Sequence, residues 1–142
     1  MPVFLLDTNI ISELRHGKPQ QNSHVREWAA GQPMVSLYVS AITVLELEKG
    51  VVALEHKTPP QGRALRHWLD RVKLGFAGRI LPFTDETAEW CAALHQPQPR
   101  PERDAMIAAT ALQHRMTLVT RNVSDFSGMR LALINPFEAA GG

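Results

Sequence analysis

A chain of 142 residues with 44% apolar side chains is long enough to bury one compact core and too apolar to be disordered. Fifteen Lys and Arg stand against fourteen Asp and Glu, and the resulting net charge of +1 does not by itself point to nucleic acid. The absence of any run of about 18 apolar residues excludes an α-helical membrane span, and the single cysteine excludes an internal disulfide.

Val3 to Leu6 is apolar at every position, the pattern of a short strand buried on both faces, and it runs into Asp7-Thr8-Asn9. The stretch from Met1 to Asp7 lacks the basic region of a signal peptide and reaches a carboxylate too early for one. With one free cysteine, the expectation is a cytoplasmic protein. Ile10 to Arg15 reads as a helix stopped by Gly17 and Pro19, and His24 to Ala30 as a second helix closed by Gly31.

Pro33 to Ser40 predicts the next strand. Ser40 can cap a helix from about Ala41 to His56, with Ile42, Leu45 and Val52 spaced for a buried face, before Pro59-Pro60 breaks the chain. Leu65, Trp68, Leu69 and Val72 fall at i, i+3, i+4 and i+7, an amphipathic helix lying within Gln61 to Leu74. Ile80 to Phe83 reads as a third strand, and Thr84 caps a helix through about His95 that carries Cys91 as a small core residue.

Gln96-Pro97-Gln98-Pro99-Arg100-Pro101 is a stiff, extended loop too short to link domains. The helix from Glu102 to Arg115 is rich in alanine and can lie close on a sheet; Thr117 to Thr120 and Leu131 to Ile134 supply the last two strands. Strands alternating with helices predict an α/β fold with a central, mostly parallel sheet of about five strands and helices on both faces, one domain over 1–142. In such sheets ligands bind beyond the carboxyl ends of the strands.

Four carboxylates can reach that edge. Asp7 follows the first buried strand, where a charge is costly unless solvated, paired or bound to a cation, although helix capping would also explain it. Glu46 sits between Leu45 and Leu47 at the border of the apolar face; the alternative is an ordinary surface charge, as for Glu48, which could pair with Lys49. Asp104 stands in the first turn of its helix, where the dipole favours an acid in any case and Arg103 could neutralise it. Asp125 follows the fourth strand in Thr120-Arg121-Asn122-Val123-Ser124-Asp125, where turn formation is the alternative.

Together they form a pattern that none makes alone. Clustered acids repel and demand a counter-cation, and oxygen-only ligands select Mg²⁺ or Mn²⁺ over zinc. His16, His24, His56, His67, His95 and His114 show no paired spacing for a different metal site. Setting the four acids aside leaves ten against fifteen basic residues, an acidic centre in a basic surround that suits a phosphodiester.

The chain resembles PIN-domain proteins of the VapC or FitB type, the ribonuclease toxins of bacterial toxin–antitoxin pairs. The resemblance rests on Phe4-Leu5-Leu6-Asp7-Thr8-Asn9-Ile10-Ile11-Ser12-Glu13, Ser40 to Gly50, Asp104-Ala105-Met106-Ile107-Ala108-Ala109-Thr110-Ala111, Leu118 to Phe126 and Asn135-Pro136-Phe137, in order along nearly the whole chain. It implies a PIN-like three-layer α/β/α fold and an acidic metal site of Asp7, Glu46, Asp104 and Asp125, supported by Thr8, Asn9, Thr120 and Asn122. It also implies RNA hydrolysis by water activated on Mg²⁺, with Arg100, Arg103, Arg115 and Arg121 as candidate backbone contacts.

The implied partners are a small VapB- or FitA-like antitoxin placing a basic side chain into the acidic cleft, operator DNA bound only through that antitoxin, and a homodimer within a larger complex. Two other enzyme classes fit worse. A haloacid-dehalogenase-like phosphatase needs a second aspartate where this chain has Asn9, and a receiver domain needs a lysine at a strand end. A non-catalytic subunit of a DNA-binding complex is the remaining alternative.

Overall fold

A computed structural model describes residues 2–15 and 18–138; Gly17, expected to stop the first helix, and His16 lie outside them. The chain runs β1 (Phe4–Leu6), α1 (Thr8–Glu13), α2 (Ser23–Ala30), β2 (Leu37–Ser40), α3 (Ala41–Lys57), α4 (Pro59–Gly75), β3 (Ile80–Leu81), α5 (Asp85–Leu94), α6 (Glu102–Gln113), β4 (Thr117–Val119) and β5 (Leu133–Ile134). The five strands form one sheet in the order β3-β2-β1-β4-β5, every pair parallel. The predicted parallel α/β architecture is the one observed.

Residue alternation assigns the two faces. Phe4, Leu6, Leu37, Val39 and Val119 pack with Ile10, Ile11, Val25 and Phe76, so α1, α2 and α4 cover one face. Leu5, Leu118 and Tyr38 point the other way, toward Ile107, Ala108 and Ala111 of α6 and toward Phe126 and Met129. The small alanines let α6 lie against the sheet, and Cys91 of α5 is buried against Ala105 and Ala109 as expected.

Local signals account for most boundaries. The Ser40 hydroxyl accepts from Ile42 N at 2.9 Å and opens α3. Thr84 and Thr87 form a reciprocal cap on α5. Pro59 and Pro60 do break the helix, but for one residue only: lacking N–H groups that a first turn would leave unpaired, they open α4 at once.

Some expectations need correction. The strand predicted from Pro33 begins only at Leu37, because Met34–Ser36 turns as a 3-10 helix, with Ser36 N and Oγ both donating to Pro33 O. Leu45 and Val52 are 54% and 44% exposed; the inward face of α3 is Thr43, Leu47 and Val51, rotated to meet α4. Glu48 pairs with Arg66 and Lys73 of α4, not with Lys49.

Chain order reverses at β1: β2 and β3 lie outward on one side, β4 and β5 on the other. The connections leaving β1 and β4 therefore part in opposite directions, opening a crevice at their carboxyl ends. Asp7 and Thr120 are the residues that follow those two strands.

Candidate functional site

Asp7 leaves β1 fully buried. It caps α1 by accepting from Thr8 N at 2.7 Å, while its other oxygen accepts from Thr120 Oγ1 at 2.8 Å. The capping alternative is thus true of Asp7, and it does not prevent the same carboxylate from joining the acidic cluster. The buried Thr120 hydroxyl also accepts from Asn122 N at 3.1 Å and Asn9 Nδ2 at 3.3 Å, tying the ends of β1 and β4 together.

Glu46 comes from the second turn of α3 and accepts from Thr8 Oγ1 at 2.5 Å. Asp104 comes from the first turn of α6, its side chain mostly buried. Asp125 sits in a 3-10 turn, Val123–Phe126, in keeping with the turn formation its sequence context allowed. An open cleft of about 560 Å³ is lined by Thr8, Asn9, Glu46, Arg103, Asp104, Asn122 and Asp125, together with Ser12, Glu13, Lys18, Arg121 and Phe137.

The cleft is organised around a cation from the chain itself. Arg103 Nη2 contacts Asp7 Oδ1 and lies 2.9 Å from Glu46 Oε1 and 3.2 Å from Thr8 Oγ1. Its Nε donates to both Glu46 oxygens at 3.1 and 3.0 Å, and Nη1 to Asp104 Oδ1 at 3.1 Å. One guanidinium therefore bridges Asp7, Glu46 and Asp104; Asp125 faces the same cleft without joining the set.

The charges are matched accordingly. Burial pushes the Glu46 carboxyl up, but hydrogen bonds from Arg103 and Thr8 outweigh it and hold the group below the usual carboxylate range. Burial likewise disfavours the Arg103 cation, and the hydrogen bonds to Glu46 and Asp7 more than compensate, raising it above an ordinary arginine. Among the described residues, no buried side-chain nitrogen or oxygen lacks a partner.

The donor chemistry suits a hard divalent cation: the carboxylates of Asp7, Glu46 and Asp104 with the Thr8 hydroxyl, and no sulfur or imidazole lining the cleft. The arrangement is another matter. Among the described residues no group of three His, Cys, Asp or Glu side chains already stands ready to hold a metal ion, because the acids are spread around the guanidinium. The residue types therefore suit such an ion, while their present arrangement is the one that holds the guanidinium.

Sequence reasoning missed one acid. Glu13 ends α1, buried, and accepts from Lys18 Nζ at 2.8 Å and Asn22 N at 3.3 Å. The Lys18 hydrogen bond lowers its carboxyl against the opposing effect of burial. Its position three residues after the buried Ile10 was the available signal.

Of the four candidate arginines, Arg103 and Arg121 line the cleft. Arg100 donates to Ser127 O at 2.8 Å, outside it. Arg115 lies just before β4 begins, at the amino-terminal edge of the sheet away from the acids.

A parallel α/β/α sheet with acids from three elements meeting at its switch point defines a domain of the acid-centred α/β class. A model of the PIN domain matches residues 4–129, and the chain belongs to the PIN-domain family. The chain is 38% identical to "Plasmid stability protein StbB" of Pseudomonas syringae pv. tomato, over 96% of this chain and all of that one. It is 35% identical to "VapC ribonuclease Y4jK" of Sinorhizobium fredii over 97% and 100%, and 37% to "Toxin FitB" of Neisseria gonorrhoeae over 96% and 99%.

Its fold is similar to that in the crystal structure of FitAcB from Neisseria gonorrhoeae, with a TM-score of 0.86, 37% identity and coverage of 96% and 100%. The structure of FitAB bound to an IR36 DNA fragment matches at 0.84, with 37% identity and coverage of 96% and 97%.

Proposed function

We propose that this PIN-domain protein is a metal-dependent endoribonuclease and the toxin of a type II toxin–antitoxin module, acting in the cytoplasm as a single domain over 1–142. The observation that carries the reading is that Asp7, Glu46 and Asp104, distant in sequence, share one cation at the carboxyl edge of a parallel sheet. Such a cluster is expensive to assemble, and capping of α1 by Asp7 accounts for one of its three acids only.

In this reading Asp7, Glu46 and Asp104 would hold Mg²⁺, or Mn²⁺ in its place, and Asp125 on the rim would orient a second ion or the attacking water. A divalent ion bound there supplies Lewis acidity and lowers the pKa of water at neutral pH. The Thr120 and Thr8 hydroxyls hydrogen-bond Asp7 and Glu46 and so limit the directions those two carboxylates can take. Asn9, Asn122, Lys18 and Arg121 offer donors along the cleft for phosphate oxygens.

The relatives named as a VapC ribonuclease and as toxin FitB support the activity and the toxin role. The FitAcB and DNA-bound FitAB structures support an antitoxin partner of VapB or FitA type and a link to DNA; that the DNA is an operator reached only through the antitoxin, and that this chain pairs as a homodimer, belong to the same proposal. A second reading, a non-catalytic subunit of such a DNA-binding complex, is favoured by one observation: Arg103 already satisfies the acids without a metal.

Cleavage of RNA by the purified chain separates the two. Magnesium-dependent cleavage that disappears in Asp7→Asn is the expected result. Undiminished cleavage by Asp7→Asn would remove the acids from the mechanism, and an inert wild-type chain would leave the non-catalytic reading.

A further inference from the structure

The basic side chain expected in the acidic cleft was one supplied by an antitoxin; the chain supplies its own. We infer that Arg103 is an internal counter-cation that holds the acidic site shut in the metal-free protein, and that a divalent ion binds only by displacing it. This rests on the reading of Asp7, Glu46 and Asp104 as a metal site.

Three features carry the inference. First, the guanidinium uses Nε, Nη1 and Nη2 together and leaves no carboxylate of the trio free of it. Both Glu46 oxygens are taken, and Oε1 accepts from Thr8 as well. A fork of this kind is the strongest organic stand-in for a metal among side chains, planar and permanently charged.

Second, the two cations cannot share the site comfortably. Mg²⁺ binds oxygen at about 2.1 Å. An ion touching Asp7 Oδ1 would then lie no more than about 4.6 Å from Nη2, which is 2.5 Å from the same oxygen. At that range a divalent and a monovalent cation repel strongly in a partly buried cleft. Three carboxylates also balance a divalent ion better than they balance one guanidinium.

Third, the exit is open. The Arg103 side chain is 32% exposed and borders the cleft, whereas Asp7 beneath it has no exposure at all. Its backbone sits in the first turn of α6 beside Asp104, so the side chain can swing outward without disturbing the helix, leaving the acids free to draw together on an ion. Metal concentration then sets whether the site is open, independently of any partner chain.

Calorimetric titration of the metal-stripped full chain with Mn²⁺ tests this without reference to catalysis. Arg103→Gln is expected to bind Mn²⁺ at least tenfold more tightly than wild type, with Arg103→Lys between them. The metal-free Gln variant should also melt lower than wild type and recover more on Mn²⁺ addition. In the wild-type chain, the Arg103 Nε–H resonance, assigned by its loss in Arg103→Lys, should shift and exchange faster with solvent as the metal-free protein is brought to saturation with diamagnetic Mg²⁺. Equal or weaker Mn²⁺ binding by Arg103→Gln, or an Nε–H unmoved at saturation, overturns the competition while sparing the metal site. Absence of binding in every variant overturns both.

Discussion

Thr120 Oγ1 donates to Asp7 Oδ2 at 2.8 Å between two fully buried side chains 113 residues apart. That single hydrogen bond joins the ends of β1 and β4 at the place where chain order reverses, and it aims Asp7 into the cleft.

Thr120→Val keeps the volume and removes the hydroxyl. It leaves Asp7 Oδ2 with only the long 3.5 Å bond from Arg103 Nη1 and takes the acceptor from Asn122 N–H and Asn9 Nδ2, at a cost of about 1–3 kcal/mol. Urea unfolding should show that loss, and RNA cleavage should fall further than stability alone explains because Asp7 is no longer held in direction.

Asp125→Asn should separate the rim from the trio. Asp125 faces the cleft but takes no part in the Arg103 network, so the variant should fold normally. Turnover should drop by about 100-fold or more if the carboxylate handles a proton or water, with Mn²⁺ affinity changed much less than by Glu46→Gln. Single-turnover cleavage and metal titration together check this.

Glu13 makes stability depend on acid pH. Its carboxyl is held below the ordinary value of 4.5 by Lys18, against burial. The pair therefore contributes in full above that value, and the contribution is lost as pH falls through the lower folded value. Lys18→Met should reduce stability at neutral pH and move the acid transition upward, measurable by thermal melts from pH 7 to pH 3.

Gly62→Ala probes the α3–α4 contact. A Cβ there would come within 2.5 Å of the Glu55 Cα, a backbone atom that cannot turn aside. Alanine gains about 1 kcal/mol in helix propensity. Forcing two packed helices apart costs about 1–3 kcal/mol, so the net effect should be a lower urea midpoint.

Much of this was legible in the sequence because it depends on short-range chemistry. A fully apolar run named β1, Ser40 and Thr84 announced their helices, and acids placed just after strands or at helix starts had to gather at one edge. Side-chain direction was not legible. Leu45 and Val52 share a stripe, but which stripe of α3 turns inward is decided by α4, a distant segment. Arg103 could be paired with Asp104 from adjacency alone, yet its reach to Asp7 and Glu46 depends on the packing of α6 over the switch point. Glu13 is buried only because Lys18 and the backbone of Asn22 come back to meet it.

Sequencing the RNA ends left by the purified chain, with magnesium and with chelator, beside an Asp104→Asn control, tests the central claim most directly. Discrete new ends that need both magnesium and Asp104 are predicted. The same ends in chelator, or from the Asp104→Asn chain, would contradict it.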